Sequence, residues 1–152
     1  MANTQAFCTQ AKADLMNGLH ALGASVIRAA TTKDAYKAAL YLATGTRGAA
    51  TTVYSVTDEV SGTGYTAGGV AVTTATGPST TGTTAFFTPS ASIVYTTVTL
   101  ATAFDAVLLY NDTSATKLAV SVHTFGSQTV TAGNFTLTMP TNDATTGLIR
   151  IA

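Results

Sequence analysis

The stretch LAVSVHTFGSQTVTAGNFTLTM, residues 118–139, contains the clearest alternation of apolar and polar side chains in this chain. Its first part, 118–123, places Leu, Val and Val at every second position, and its last part, 135–139, places Phe, Leu and Met there. Because successive side chains of a strand point to opposite faces, each part predicts a strand with one buried and one solvated face. The turn-forming residues Ala132, Gly133 and Asn134 predict that a turn precedes the second strand.

The same β signal recurs along the whole chain after Thr51. Short segments rich in β-branched and aromatic residues alternate with turns that contain Gly, Pro, Asn or Asp. The predicted strands cover residues 52–56, 70–73, 83–87, 92–100, 104–110, 117–123, 135–139 and 148–151. Short strands at this spacing are typical of an antiparallel β-sandwich, and we expect a jelly-roll-like one over residues 25–152. The length of 152 residues is that of a single domain, 1–152, with one core.

A different pattern precedes the predicted sandwich. Residues 4–22 carry apolar side chains at three- and four-residue spacing, among them Phe7, Leu15 and Leu22, which predicts an amphipathic helix that ends near Gly23. The next apolar segment, DAYKAALYLA over 34–43, is ambiguous because its alanines favour a helix while its alternation favours a strand.

The composition argues against side-chain catalysis. Charged residues make up 9% of the chain, its formal net charge is zero, and the stretch 60–104 contains no Lys, Arg, Asp, Glu or His. Acid–base chemistry needs titratable groups that converge on one point. The 33 threonines cover a sheet without charge, either to solvate an exposed face or to let it dock against other proteins at a low desolvation cost.

The residues that carry chemistry elsewhere form no recognisable motif here. His20 and His123 lack the spacing of a catalytic or zinc site, and the adjacent Asp58 and Glu59 are interpreted as a solvated turn. The glycine-rich segment GTGYTAGG, 62–69, lacks the lysine of a phosphate loop, and Cys8 is interpreted as a small buried apolar residue. We therefore expect no enzyme activity, cofactor or metal, and the few basic residues and short apolar runs disfavour nucleic-acid and membrane binding.

Several long segments together resemble a group of small virion structural proteins of tailed bacteriophages. The resemblance covers most of the chain, and its motifs are structural. It is carried by CTQAKADLMNGLHAL (8–22), KAALYLATGTRGAATTVYSVTDEVSGTGYTAGGVAVT (37–73), AFDAVLLYND (103–112), AVSVHTFGSQTVTAGNFTLTMP (119–140) and GLIRIA (147–152). The resemblance implies that KAALYLA is a strand and that the chain is a β-sandwich-like subunit of the particle.

By this resemblance, the protein is expected to be made in the cytoplasm of the host bacterium and to reside in the virion. The expected function is that of a non-enzymatic capsid decoration or cement protein, whose partners are the major capsid protein or other virion proteins. A neck or tail structural protein is the alternative within the virion, and a glycan-binding adhesin module is the alternative from another class. An adhesin needs exposed aromatic platforms, for which Tyr41, Tyr54 and Tyr65 are the candidates because the chain has no Trp.

Two features predict where such a subunit contacts its neighbours, namely the N-terminal amphipathic segment and the glycine-rich loop 61–69. The predicted contact residues are Phe7, Leu15, Gly62, Gly64, Tyr65, Gly68 and Gly69. Low charge and exposed strand edges also favour self-association, so we expect a closed homo-oligomer, a dimer or a trimer.

Overall fold

The computed structural model describes residues 2–8, 11, 15, 19–22, 33–75, 77–82 and 84–151. This part of the chain is mainly β, and every strand pairing is antiparallel, as predicted. The strands are β1 (Ala6–Phe7), β2 (Tyr36–Leu42), β3 (Val70–Val72), β4 (Ser79–Thr81), β5 (Thr84–Phe87), β6 (Ile93–Asn111), β7 (Ala119–Leu137) and β8 (Ile149–Ile151).

The strands form two sheets. The larger has the order β1-β7-β6-β2-β3, and the smaller has the order β4-β5-β8. The centre of the larger sheet is a long hairpin, because β6 and β7 have 19 residues each and pair along most of their length. Each of these strands joins two segments that the sequence predicted as separate.

The predicted turn at 132–134 is wrong, because β7 continues through it. Between the pairs Val98↔Gly133 and Leu100↔Val130, β7 contains one residue more than β6, and Ala132 takes a φ of 46°. Between the next pairs, Tyr95↔Phe135 and Val98↔Gly133, the extra residue is on β6, where Thr97 has a φ of 52°. Turn-forming residues in the middle of a paired strand thus produce bulges, which bend and twist the hairpin without ending it.

Both faces of the central strands are buried. One apolar cluster contains Leu40 and Leu109, and a second contains Tyr41 and Leu108, so consecutive residues enter opposite clusters. Phe87 and Ile149 bring the small sheet into contact with the first cluster. Because tertiary packing on two faces outweighs the helix preference of alanine, the segment 34–43 forms strand β2, as the resemblance implied.

The alternation predicted for the end of β7 is confirmed, since Phe135, Leu137 and Met139 pack on the core while Thr136 and Thr138 are exposed. The solvated face predicted for 118–123 is wrong, because Ala119 and Ser121 are buried. Here Tyr110 pairs with Ala119 and Leu109 with Ser121, so Val120 is an extra residue that reverses the phase. As a result Val120 and Val122 join different clusters.

The N-terminal helix predicted over 4–22 is not seen with those bounds. Its beginning is strand β1, in which Ala6 pairs with Val122 and Phe7 with Ser121, and residues 19–22 form no helix. Ala11 and Leu15 are helical, and the rest of 9–18 lies outside the described residues. Extended backbone is favoured here because β7 offers unpaired groups and because Asn3 anchors the segment. The Asn3 amide donates to the Leu42 carbonyl at 2.9 Å and to Asp105 Oδ1 at 2.6 Å.

The other strand predictions have mixed outcomes. Strands β3, β5 and β8 fall where they were predicted, whereas 52–56 is a loop with one bridge between Val53 and Leu118. Strand β4 was not predicted, since Ser79–Thr81 is exposed and contains no apolar residue. Cys8 is buried, as predicted, and desolvation raises the pKa of its thiol to about 11.

Candidate interaction surface

A single carboxylate organises the glycine-rich loop. Glu59 accepts hydrogen bonds from the hydroxyls of Tyr54, at 2.6 Å, and Tyr65, at 2.7 Å, and from the backbone N–H of Gly68, at 2.7 Å. The Tyr65 hydroxyl also accepts a hydrogen bond from the Leu40 N–H of β2, at 3.0 Å. Glu59 therefore connects both sides of the loop to the large sheet.

Burial and this carboxylate both act on the tyrosines. Desolvation, followed by the hydrogen bond to Glu59, raises the pKa of Tyr54 and of Tyr65 well above the ordinary value. Desolvation also raises the pKa of Tyr41 and of Tyr110 to about 12. These phenols are therefore neutral hydrogen-bond donors over the physiological pH range, which keeps the network intact.

Three glycines let the loop lie against the strands. A Cβ at Gly69, whose φ is 71°, would lie 1.7 Å from the Ala38 carbonyl oxygen, and one at Gly62 would lie 2.0 Å from that of Thr99. Gly64, with a φ of 78°, would place a Cβ 2.4 Å from the Thr97 carbonyl oxygen. No larger residue fits such approaches without moving the backbone.

The predicted contact residues do not form one patch. Phe7 and Tyr65 are half-buried and pack on the core of their own subunit, as does Leu15. Gly68 is buried, Gly69 is half-buried, and Gly62 and Gly64 are exposed where the loop lies against β6. Their contact with neighbouring subunits stays a prediction, and the loop residues Thr66 and Ala67 are the better exposed probes of it.

Sequence reasoning missed the role of Glu59. Asp58 is exposed with a φ of 59°, which confirms the predicted turn, but Glu59 is half-buried and fully engaged. The signal available in the sequence was the pair of carboxylates Asp58 and Glu59, flanked by Tyr54 and Tyr65 in a region with few other charges. A hydroxyl on a buried ring needs a hydrogen-bond acceptor, and a carboxylate between two tyrosines can provide one.

The end of the β6–β7 hairpin that lies away from its turn, where Ile93 pairs with Leu137, presents a second, uncharged surface. Its outward side chains are neutral and mostly threonine, and Val94 is 38% exposed among them. Its inward side holds an aromatic cluster in which the Phe135 ring lies 5.0 Å from Phe104 and 5.2 Å from Phe125. Phe104 is fully buried, whereas Phe125 and Phe135 are partly exposed at the strand edge.

Charges are concentrated at the other end of the hairpin. Asp112 lies between Lys117, at 2.9 Å, and Lys37, at 3.3 Å, and the hydrogen bond from Lys117 lowers the pKa of the carboxyl group. Towards the other end of β2, Arg47 lies over the ring of Tyr41, 4.4 Å from its centroid. Along the hairpin, the turn end is therefore charged and the opposite end is neutral, although the Tyr95 hydroxyl of the neutral end donates to the carbonyl of Ala38, the neighbour of Lys37, at 2.9 Å.

A cleft of about 700 Å³ lies between β1, β7 and the segment 140–150. His123 lines it and its Nε2 lies 2.8 Å from the Ser121 hydroxyl, while desolvation lowers the pKa of the imidazole to about 4. Ser121 is 1% exposed, so its hydroxyl is closed to a substrate and its contact with His123 is a structural hydrogen bond.

The described residues contain no group of three or more His, Cys, Asp or Glu side chains placed to hold a metal ion. No helix in this part of the chain has the length and apolar character needed to cross a membrane. Comparison with known proteins finds no matching family model, no matching curated protein and no matching solved structure.

Proposed function

We propose that the protein is a non-enzymatic structural component of a tailed-phage virion, most specifically a capsid decoration or cement subunit. The observation that carries the proposal is the neutral, threonine-rich end of the β6–β7 hairpin, which presents backbone edges and hydroxyls without charge. Such a surface loses little solvation free energy when it is covered by another protein. The sequence resemblance supports the same assignment.

We propose in addition that the two sheets form a jelly-roll-like β-sandwich over residues 25–152. The support is the shared apolar cluster, in which Phe87 and Ile149 of the small sheet join Leu40 and Val107 of the large one. A two-layer body of this kind is rigid enough to present loops and edges in a constant geometry. That property suits a subunit repeated many times on one particle.

The proposed partners are the major capsid protein or other virion proteins, and a second copy of this chain. The protein would be made in the cytoplasm of the host bacterium and incorporated into the particle there. The charged end at Asp112 and the neutral end of the hairpin differ in chemistry, which supports distinct roles for them in attachment and in self-association.

A neck or tail position is the alternative, because the same neutral surface suits those contacts equally well. The number of copies per purified particle, measured by quantitative mass spectrometry, separates the two. Hundreds of copies match decoration of an icosahedral shell, while about a dozen or fewer match the neck or tail. Absence of the chain from purified particles would refute a virion role altogether.

A glycan-binding role gains no support from the candidate tyrosines. Tyr41 is fully buried, and Tyr54 and Tyr65 direct their hydroxyls to Glu59 instead of to solvent.

Attachment of the subunit to the capsid through the loop 61–69 is tested with Thr66→Asp, and Thr116→Asp in the exposed hairpin turn is the matched control. Loss of capsid binding by the first variant alone, with both folded, would support contact through the loop; normal binding by both would exclude it.

A further inference from the structure

Within the part of the chain that the structure describes, the larger sheet leaves one long edge open. Strand β7 lies between β6 and β1, but β1 pairs with it only at Ser121 and Val122, and the following Cys8 N–H donates to the Val120 carbonyl at 3.3 Å. Among the described residues, no strand pairs with the outer edge of β7 from His123 to Leu137. Unpaired N–H and C=O groups along such an edge are a template for another strand.

Bulges make most of this edge too irregular to pair with another strand, but its last part is regular. The bulges that follow Phe125 and precede Gly133 break the regular spacing of backbone groups. Phe135, Thr136 and Leu137, in contrast, pair with β6 in unbroken register. This regular end segment carries neutral exposed side chains, Thr136 and the flanking Asn134 and Thr138.

We propose that two copies of this chain pair antiparallel through the end of β7, centred near Thr136, to make one continuous sheet across a two-fold axis. In that arrangement Thr136 meets Thr136 of the second copy, and Asn134 meets Thr138. Thr–Thr and amide–hydroxyl pairs across antiparallel strands are favourable. The half-exposed ring of Phe135 then gains cover from the second copy.

The second copy is the occupant because the edge is complementary to itself. A strand that pairs with its own equivalent must tolerate each side chain beside a symmetric partner, and this segment contains no charge that would repel itself. Self-pairing of one segment is isologous, so the structure favours a dimer over a trimer.

This inference deepens the self-association part of the proposed function, yet it is tested on the purified chain without particles. The probes are Thr136→Lys and Thr136→Asp, which place like charges face to face at the proposed axis. Native mass spectrometry and sedimentation over a concentration series measure the mass. We expect a dimer for the unmodified chain, and dissociation constants raised at least about tenfold for each variant alone.

Mixing the two variants is the decisive arm, because Lys and Asp then face each other. We expect the mixture to recover a heterodimer, which a variant that merely unfolds cannot do. Thr80→Lys, on the exposed edge of the small sheet, is the matched control and should leave the dimer intact. Circular dichroism checks that all three variants fold.

A mass of 15.4 kDa for the unmodified chain at every concentration, or a trimer, would overturn the inference. So would a dimer that Thr136→Lys leaves unchanged, or one that Thr80→Lys dissociates instead. Capsid binding is measured separately. A chain that dimerises through β7 but is absent from particles contradicts the virion proposal alone, while a monomer that decorates particles contradicts this inference alone.

Discussion

Individual residues in this protein matter most where one side-chain group accepts several hydrogen bonds, or where the absence of a side chain lets two backbone segments approach each other. Glu59 is an example of the first kind, with two phenol hydroxyls and one backbone N–H directed at its carboxylate. Gly69 is an example of the second, since the Ala38 carbonyl occupies the place of its absent Cβ. Neither role concerns catalysis; both hold the loop 61–69 against the sheet.

Glu59→Gln should destabilise the fold by about 1–3 kcal/mol, because an amide replaces an acceptor oxygen with a donor beside existing donors. Urea denaturation measures the free energy of unfolding. The neighbouring Asp58→Asn is the control, since Asp58 is exposed with a φ of 59°, a conformation that Asn tolerates. Equal stabilities for the two variants would show that the carboxylate network contributes nothing.

Gly69→Ala should cost about 3 kcal/mol or more, because it combines an unfavourable φ of 71° with a backbone clash. Gly82→Ala is the matched variant, with a φ of 58° but no atom within 4 Å, so it should cost only about 1 kcal/mol. Thermal denaturation of both separates the steric part from the conformational part. Similar losses would mean that the loop moves away from Ala38 without penalty.

Acidification should weaken the fold through His123. Its folded pKa, about 4, is below the ordinary value of 6.5, so the unfolded chain binds more protons between these pH values. The stabilising effect of the neutral imidazole is complete above pH 6.5 and is lost as the pH falls towards 4, by up to about 3 kcal/mol. Denaturation at a series of pH values measures it, and His123→Gln should flatten the curve across that window; an unchanged slope would assign the effect elsewhere.

At the scale of elements, the β6–β7 hairpin is the feature that decides the shape of the larger sheet. At successive bulges the extra residue lies first on one strand and then on the other. Two of these bulges place non-glycine residues, Thr97 and Ala132, at positive φ. The bulges bend the hairpin and leave only the end of β7 regular enough to accept another strand. The same irregularities that protect most of the edge therefore define the proposed dimer contact.

Thr97→Asn should stabilise the protein by about 1 kcal/mol, since a β-branched residue is strained at a φ of 52° and Asn tolerates that conformation. Thr96→Asn, on the exposed neighbour, should instead cost a few tenths of a kcal/mol because Asn is a poor strand residue. Chemical denaturation compares the two variants. A loss of stability at position 97 would show that the bulge depends on the threonine side chain.

At the scale of the whole molecule, the two sheets share one apolar cluster, which predicts that they unfold together. Phe87 of β5 is 3% exposed and packs in the cluster formed mainly by the large sheet. This contact is the physical basis for the prediction that the two sheets belong to one domain.

Phe87→Ala should therefore lower the stability of both sheets by about 3–5 kcal/mol in a single transition. Val56→Ala, at a side chain that is 67% exposed, is the control and should change stability by less than about 0.5 kcal/mol. Calorimetry and circular dichroism should report coincident transitions. Two separate transitions, with only one of them shifted, would show that the sheets are independent units.

The sequence alone determined the mainly antiparallel β class, because alternation over a few residues reports which face is buried. It also determined the buried face at Phe135, Leu137 and Met139 and the turn at Asp58. Only the tertiary structure decided that 132–134 is a bulge, that β1 replaces the predicted start of a helix, and that Glu59 binds two tyrosines. These outcomes depend on contacts between residues far apart in the chain, such as Asn3 with Asp105 and Leu40 with Tyr65, whose free energy outweighs local preference.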